Sequence, residues 1–330
     1  MAFSLDGHWV WDFWFAQDGG DYHMFFLQAP HTIGDPELRH WHASVGHAVS
    51  RDLTHWKYLG ASFAPAAPPA WDDGTTWTGS VFRNAGVWHY FYTGTSRADD
   101  RRRQRIGLAT STDLHHWQRH AANPVLDIDP ALFEEYDPAL WHDRCFRDPW
   151  VGRDPGGRGY RMWFTARVNA GPPDGRGVIA TAVSDDLVRW RLEGPVTPAG
   201  DFGECEVAQY FATDTHRYLL FCTTAQRASA ALKARLSALG EVPQSGTHYY
   251  VADRNGGPWR LAPGPFLSPL YAGRVVDGPS GRLVFLGTVM PEAGKAYVGT
   301  ISDPVPLAVD RNGHLSLGPA SAARSLRALP

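Results

Sequence analysis

One short signature recurs along this chain of 330 residues and restricts the folds open to it. The signature S-x-D-L-x-x-W is complete at residues 50–56, 111–117 and 184–190. A degenerate copy lies at 252–259, and residues 302–307 keep only its Ser-Asp pair. An aromatic-rich β-type run precedes each copy, and another short strand lies between the run and the signature. Repeats that each supply several antiparallel strands and a turn predict the blades of a β-propeller.

Five such repeats account for the whole length of the chain, because 330 residues divide into units of 66 residues on average. We therefore predict an all-β fold: a single five-bladed propeller over residues 1–330, with four-stranded antiparallel blades and no C-terminal β-sandwich. Residues 228–240 interrupt the fourth repeat, with helical spacing of Leu232, Leu236 and Leu239. This segment predicts a short helical insertion in blade four, for which packing on the rim is favoured over a substrate lid or a dimer contact.

The composition narrows the class of protein. Aromatic residues make up 13% of the chain beside 34 Gly and 25 Pro, which favours strands and tight turns. A net charge of −3 excludes the basic surface of a nucleic-acid-binding protein. The sequence contains no apolar run of about 18 residues, the length that would predict a membrane-spanning helix. The three cysteines, Cys145, Cys205 and Cys222, form no CxxC pair. We expect a cytoplasmic protein with no nucleic-acid or membrane partner, and its oligomeric state stays open.

Carboxylates recur at one place in three of the five repeats. Counting back 13 or 14 residues from the anchor of each aromatic run reaches Asp12, Trp77, Asp148, Glu206 and Tyr271. Because the innermost strands of a propeller line its channel, this spacing predicts that the five side chains meet there. The three acids have apolar or aromatic neighbours, where a buried charge without a purpose is costly. Such a set fits glycoside cleavage, which needs a nucleophile or base, an acid of raised pKa and groups that bind hydroxyls.

The segments around these acids resemble the fructan-acting clan of glycoside hydrolases, families 32 and 68. Residues 11–15 resemble the W-D-S-W-P nucleophile motif of the levansucrase-type family, whereas residues 22–30 and 46–56 are more similar to the invertase-type family. Further similarities are to the W/F-S-G-S motif at 77–80, the R-D-P motif at 146–149 and the F-Y-A segment at 270–273. The resemblance implies a five-bladed propeller and a retaining mechanism.

The resemblance also implies a role for each acid. Asp12 would attack the anomeric carbon, Glu206 would protonate the leaving oxygen, and Asp148 would bind ring hydroxyls. Glu204 competes for the acid/base role, but Glu206 is favoured because it shares the 13-residue offset of Asp12. We hypothesise that the charges of Glu204 and Asp148 raise the pKa of Glu206. The residues expected to contact the sugar are Trp11, Trp14, Gln28, Trp77, Ser80, Arg147, Glu204 and Tyr271.

The sequence thus predicts a retaining, β-fructofuranosidase-like hydrolase that cleaves a fructosyl or related furanosyl bond in sucrose or fructo-oligosaccharides, with transfer to an acceptor sugar left open. Two alternatives remain: an arabinosidase-like inverting propeller glycosidase and a non-catalytic sugar-binding propeller. We expect neither a metal nor another cofactor, because His40, His42 and His47 lie near no carboxylate cluster in the sequence. The expected partner is a small sugar.

Overall fold

The computed structural model describes residues 2–157, 159–253, 258–264, 270–291 and 295–318. Within these ranges the strands form five four-stranded antiparallel sheets, and each sheet is built from one continuous stretch of chain. The first strands of neighbouring sheets contact one another in a closed ring. The prediction of a five-bladed β-propeller is confirmed, and no described strand lies outside the five blades.

The twenty strands are distributed evenly over the blades. Blade one consists of β1 (His8–Asp18), β2 (Asp21–Pro30), β3 (Ser44–Ser50) and β4 (Lys57–Phe63). Blade two consists of β5 (Thr75–Asn84), β6 (Val87–Thr95), β7 (Arg105–Ser111) and β8 (Gln118–Arg119). Blade three consists of β9 (Phe146–Arg153), β10 (Tyr160–Arg167), β11 (Gly177–Ser184) and β12 (Arg191–Pro195). Blade four consists of β13 (Glu206–Ala212), β14 (His216–Thr223), β15 (Gly246–Asp253) and β16 (Arg260–Leu261). Blade five consists of β17 (Leu270–Asp277), β18 (Leu283–Val289), β19 (Val305–Val309) and β20 (Leu315–Leu317).

The recurring signature forms the turn that follows the third strand in the first three blades. Its Ser hydroxyl accepts the N–H groups of the Asp and Leu, as Ser111 does at 3.1 and 2.9 Å. The signature leucines Leu53, Leu114 and Leu187 have φ angles of 64°, 65° and 67°, which are unfavourable for a branched side chain. All three are buried, so apolar contacts offset the backbone strain.

The signature tryptophans of blades two and three pack against the preceding blade. Trp117 contacts Phe25 edge-on at 5.8 Å, and Trp190 contacts Phe91 in the same way at 5.5 Å. The repeat therefore supplies both the turn and the aromatic contact that fills the seam between blades. In the degenerate fourth copy, residues 254–257 lie outside the described part of the chain.

A backbone clamp joins the first and last blades. Phe3 and Ile301 exchange two hydrogen bonds of 2.8 and 2.9 Å. The Tyr297 hydroxyl donates to the Val10 carbonyl at 2.7 Å, so the segment that follows β18 also binds β1. These contacts close the ring without placing strands from both ends of the chain in one sheet.

The predicted helical insertion is present in blade four as α1 (Ala230–Ala238), between β14 and β15. The Ser229 hydroxyl caps its first turn by accepting the N–H of Leu232 at 3.0 Å. The Ala230 N–H donates to the carboxylate of Asp174, a residue of blade three, at 2.7 Å. The helix thus packs on the rim between two blades. No helix in the described ranges combines the length and apolar character needed to cross a membrane.

Candidate active site

A β-bulge interrupts the first strand of every blade, and all five bulges open on one cavity of about 870 Å³. A bulge leaves extra residues unpaired and redirects their side chains. Glu206 is the last paired residue before the bulge of blade four, Asp148 is the first bulge residue of blade three, and Asp12 is the second of blade one. The three acids therefore enter the cavity from three successive positions rather than from one register.

Equal offset in sequence was wrong as a measure of register. Trp14 pairs with Phe25, whereas Tyr210 pairs with Leu219, so the hairpin of blade one is longer by two residues. The residues that occupy the register position of Glu206 in the other blades are Val10, Trp77, Arg147 and Tyr271. The shared 13-residue offset thus carries no preference for Glu206 over Glu204. Their surroundings in the structure do distinguish them, as described below.

Asp12 lies on the cavity surface beside blade two. Its Oδ2 accepts a hydrogen bond of 2.5 Å from the Thr78 hydroxyl. Burial raises the pKa of Asp12, while the Thr78 bond and the positive charges of Arg274 and Arg39 act in the opposite direction. The carboxylate is held in one orientation by a neutral donor and carries no ion pair of its own within the described residues.

Asp148 is bound to three blades. It has a φ of 59°, its N–H donates to Thr93 of blade two at 2.9 Å, and its Oδ2 accepts from Thr165 at 3.2 Å and from the N–H of Val207 in blade four at 2.9 Å. Burial raises the pKa of Asp148 to about 6, and the neighbouring Arg147 partly opposes this shift.

Glu206 has the surroundings of a proton donor. Its carboxyl accepts from Arg147 Nη2 at 2.8 Å and from the hydroxyl of Tyr271, and 26% of its side chain is exposed to the cavity. Burial raises the pKa of Glu206 to about 7, with further contributions from the charges of Glu204 and Asp148. The direction hypothesised from the sequence is therefore found, although burial is its largest cause.

Glu204 lies behind Glu206 and does not line the cavity. Its side chain is 1% exposed, and it accepts from Trp141 Nε1 at 3.0 Å. Guanidinium nitrogens of Arg147 and Arg227 lie 3.2 and 3.4 Å from its oxygens. Burial alone would raise its pKa, but these cations lower it to about 2. Glu204 is thus a buried anion beside the acid, and the structure does not bring it to the cavity surface, so its contact with the sugar stays a prediction.

The other predicted contact residues divide into two groups. Trp11, Trp77, Arg147 and Tyr271 line the cavity. The structure does not bring the remaining three to it: Trp14 is stacked between two aromatic rings, Gln28 accepts from a tyrosine hydroxyl at 3.0 Å, and Ser80 accepts from a backbone N–H of blade three at 3.1 Å. Trp14 and Ser80 face the seams between blades, whereas Gln28 binds Tyr58 of its own blade, so contact of these three with the sugar stays a prediction.

Loops between strands supply cavity residues that sequence periodicity missed. A 3₁₀ helix, Pro36–His42, carries Arg39, His40 and Trp41 to the cavity. His40 was expected in the core or on the surface, but it faces the cavity, and burial lowers its pKa to about 3. Other cavity residues from loops and from α1 include Arg102, Trp141, His142, Asp143, Arg227, Lys233 and Tyr297. No repeat marks them, because the loops that carry them differ in length and sequence from blade to blade.

One cluster of potential metal ligands lies at the edge of this cavity. Ligand atoms of His142, Asp143 and Glu204 lie within 4.8 Å of one another, the one such group among the described residues. Arg147 lies 3.2 Å from the Glu204 carboxylate and 3.9 Å from that of Asp143. Because guanidinium groups already neutralise these oxygens, the cluster is a poor fit to a divalent cation.

A ring of five bulged blades that brings three carboxylic acids of different pKa into one cavity defines the class of propeller glycoside hydrolases. The chain belongs to glycosyl hydrolases family 32, whose N-terminal domain matches residues 14–260. Fructan 6-exohydrolase of Triticum aestivum is 32% identical over 182 residues, which are 52% of this chain and 27% of that protein. The chain thus spans about a quarter of the length of this curated relative.

Solved structures share the fold at lower identity. An inulosucrase from Halalkalicoccus jeotgali, bound to kestose, superposes with a TM-score of 0.76 and 21% identity over 97% of this chain and 89% of that one. Bacillus subtilis levansucrase superposes with a TM-score of 0.71 and 15% identity over 98% and 89% of the two chains. At these identities the likeness shows the fold alone.

Proposed function

We propose that this protein is a retaining, β-fructofuranosidase-like glycoside hydrolase acting on sucrose or fructo-oligosaccharides, with residues 1–330 as one catalytic domain. The observation that carries the proposal is the difference in surroundings between the two cavity carboxyls. Burial raises the pKa of both acids, to about 7 for Glu206, but at Asp12 the Thr78 hydrogen bond and the charges of Arg274 and Arg39 oppose the rise and favour the ionised form. One acid that holds its proton beside one that loses it is the pairing that glycoside cleavage requires.

The mechanism follows from these protonation states. The Asp12 carboxylate attacks the anomeric carbon of the fructosyl unit, the glycosidic C–O bond breaks, and Glu206 gives its proton to the leaving oxygen. The ionised Glu206 then removes a proton from water, which attacks the same carbon and releases Asp12. Two inversions give net retention. An acceptor sugar that takes the place of water would give a transfer product by the same step.

Neighbouring groups have supporting roles in the proposed reaction. Arg147 lies between Glu206 and Glu204, so it neutralises the charge that forms on Glu206 when its proton leaves. Asp148, fixed by hydrogen bonds from blades three and four, binds ring hydroxyls, and Trp11 and Trp77 offer aromatic faces to the sugar.

The buried, unpaired state of all three cysteines supports a reducing compartment, so the proposal includes a cytoplasmic location. Cell fractionation tests it, and recovery of the protein outside the cytoplasm would contradict it.

The decisive experiment compares the wild type with Asp12→Asn and Glu206→Gln on sucrose, levan-type and inulin-type oligosaccharides, and arabinosides, with product identification. Cleavage of a fructoside by the wild type, lost by at least about a thousandfold in both variants, is expected. Asp214→Asn changes an exposed aspartate outside the cavity and is the matched control. NMR of the first-formed product should show the substrate's anomeric configuration. An inverted anomer contradicts double displacement, and no cleavage of any fructoside rejects the proposal.

A further inference from the structure

A buried cation lies beneath the carboxylates without facing the cavity. Arg274 is 1% exposed and does not line the cavity. No carboxylate oxygen of a described residue lies within 4 Å of its guanidinium, in contrast to the paired Arg147. Its position on β17 is three residues after Tyr271, the last paired residue before the bulge of blade five. Because burying an unpaired charge is costly, the cation needs a reason for its presence.

The guanidinium binds the backbone at the two places that carry Asp12 and Glu206. Its Nε donates to the carbonyl of Phe13, next to Asp12, at 2.9 Å. Its Nη1 donates to the carbonyls of Val207 and Ala208 at 3.1 and 2.9 Å. Val207 and Ala208 are the bulge residues of blade four, whose backbone groups lack partners within the sheet. One side chain of blade five thus joins the bulge behind the acid to the strand of the nucleophile.

Equivalent residues in other blades show that such a connection requires no charge. Gln209 occupies this register position in blade four and binds both the carbonyl and the N–H of Val275, at 2.7 and 2.8 Å. In blade two, Ser80 accepts from the N–H of Val151 at 3.1 Å. Neutral side chains therefore connect neighbouring blades at the same level of the ring. The positive charge of Arg274 calls for a separate explanation.

The charge of Arg274 acts on the carboxylates above it. It favours the ionised forms of Asp12 and Asp148, whose pKa values burial would otherwise raise further. In return, both acids counter the effect of burial on the Arg274 guanidinium. The other charged or titratable groups that influence or sense Asp12 are Arg39 of the 3₁₀ helix, Asp148 of β9, Cys222 of β14 and Tyr297 of the segment after β18.

We propose that Arg274 is a positioning residue for the reaction: it fixes the nucleophile strand relative to the acid/base bulge and places a positive charge beneath the cavity carboxylates. This inference rests on the proposed function. The guanidinium is held by three carbonyls and does not line the cavity, so it acts through the carboxylates and not on the sugar. Asp12 has no ion pair within the described residues, so the charge of Arg274 acts on the nucleophile without direct contact.

The test is the dependence of kcat/KM on pH for Arg274→Gln, Arg274→Met and Arg274→Lys. The acid limb reports ionisation of Asp12 and Asp148. It should move up by about one pH unit in the Gln and Met variants, the size of shift expected from one nearby charge. The Lys variant keeps the charge but not the fork of donors, so its acid limb should stay within about 0.3 units while kcat falls.

Gln209→Met is the matched control, because it breaks the equivalent connection between blades without changing charge. It should lower the thermal midpoint and leave the acid limb in place. Arg274→Gln keeps an amide that can donate to a backbone carbonyl, as that of Gln209 does, so it provides a folded neutral variant even where Arg274→Met unfolds. An unmoved acid limb in Arg274→Gln, or an equal shift in Gln209→Met or Arg274→Lys, overturns the inference. Failure of the proposed function is distinguishable, because it is seen as the absence of fructoside cleavage by the wild type.

Discussion

Replacing Glu204 by glutamine should convert the proton donor Glu206 into a weaker acid catalyst at neutral pH. Arg147 Nη2 lies 3.2 Å from an oxygen of Glu204 and 2.8 Å from one of Glu206, so these two oxygens are at most about 6 Å apart. Two unit charges at that distance interact by about 3 kcal/mol at an effective dielectric constant near 20, or about two pKa units. Glutamine can still accept from Trp141, so the change is nearly isosteric.

The sign of the effect follows from the charge removed. An ionised Glu204 disfavours ionisation of Glu206 and helps to hold its pKa near 7. Without that charge the pKa of Glu206 should fall to about 5, while the acid limb, which reports ionisation of Asp12 and of Asp148, the latter with a pKa of about 6, changes less. The fraction of enzyme that has Asp148 ionised and Glu206 protonated then falls about fiftyfold at pH 7. The pH optimum moves down by about one unit, and at the optimum this fraction falls about tenfold.

Initial rates on sucrose between pH 4 and about pH 9 measure both limbs. A fructoside with a 4-nitrophenolate leaving group needs no proton, so its cleavage by Glu204→Gln should fall much less than that of sucrose. Asp143→Asn is the matched control: it changes another partly buried carboxyl beside Arg147, one that is not among the largest influences on the pKa of Glu206, and should move the basic limb far less. A basic limb that stays at its wild-type position in Glu204→Gln, or equal losses on both substrates, would refute the reasoning.

Further substitutions test other contacts. Tyr271→Phe removes a hydroxyl that favours the ionised form of Glu206, so the basic limb of the pH profile should move up. This shift is opposite to the one expected for Glu204→Gln, and a downward shift in the same pH series would contradict it. Thr78→Val removes the only hydrogen-bond donor that a side chain in the described ranges gives the nucleophile. The expected loss of about 1–3 kcal/mol lowers kcat about fivefold to about 150-fold, and Thr78→Ser should restore it. Leu187→Ala should lower the free energy of unfolding, measured in urea, by about 2–4 kcal/mol, because Leu187 is buried. The control Leu239→Ala, at an exposed leucine, should change it by less than about 0.5 kcal/mol. Equal losses would show that the signature turn does not depend on its buried leucine.

The architecture was predictable because the same physical demand recurs in each blade. A turn that places a leucine at positive φ needs the Ser and Asp side chains to bind its N–H groups, so the signature at 111–117 is visible in sequence. The helix at residues 230–238 was predictable for the ordinary reasons of spacing and capping.

The residues of the site were partly predictable and their register was not. Offsets along the chain ignore hairpin length, which differs by two residues between blades one and four, so Asp12 and Glu206 only seemed equivalent. Trp14 lies two residues after Asp12 on the same strand, but the bulge that contains Asp12 and the seam that Trp14 fills are features of three-dimensional pairing. Loop residues such as His40 and Trp141 carry no periodic signal, so only the folded chain shows that they reach the cavity.

The hydrogen bonds of Asp148 to three blades have an evolutionary consequence. Its backbone and carboxylate bind Thr93, Thr165 and Val207, so an aspartate here stabilises the ring whether or not a sugar is ever cleaved. Selection for folding alone would retain it in a descendant that had lost all activity. The carboxyl of Glu206 binds only side chains at the cavity surface and gives the ring no comparable backbone bond. Among propellers of this kind, loss of the glutamate should therefore precede loss of the aspartate, which makes the glutamate the more sensitive marker of a lineage that has abandoned catalysis.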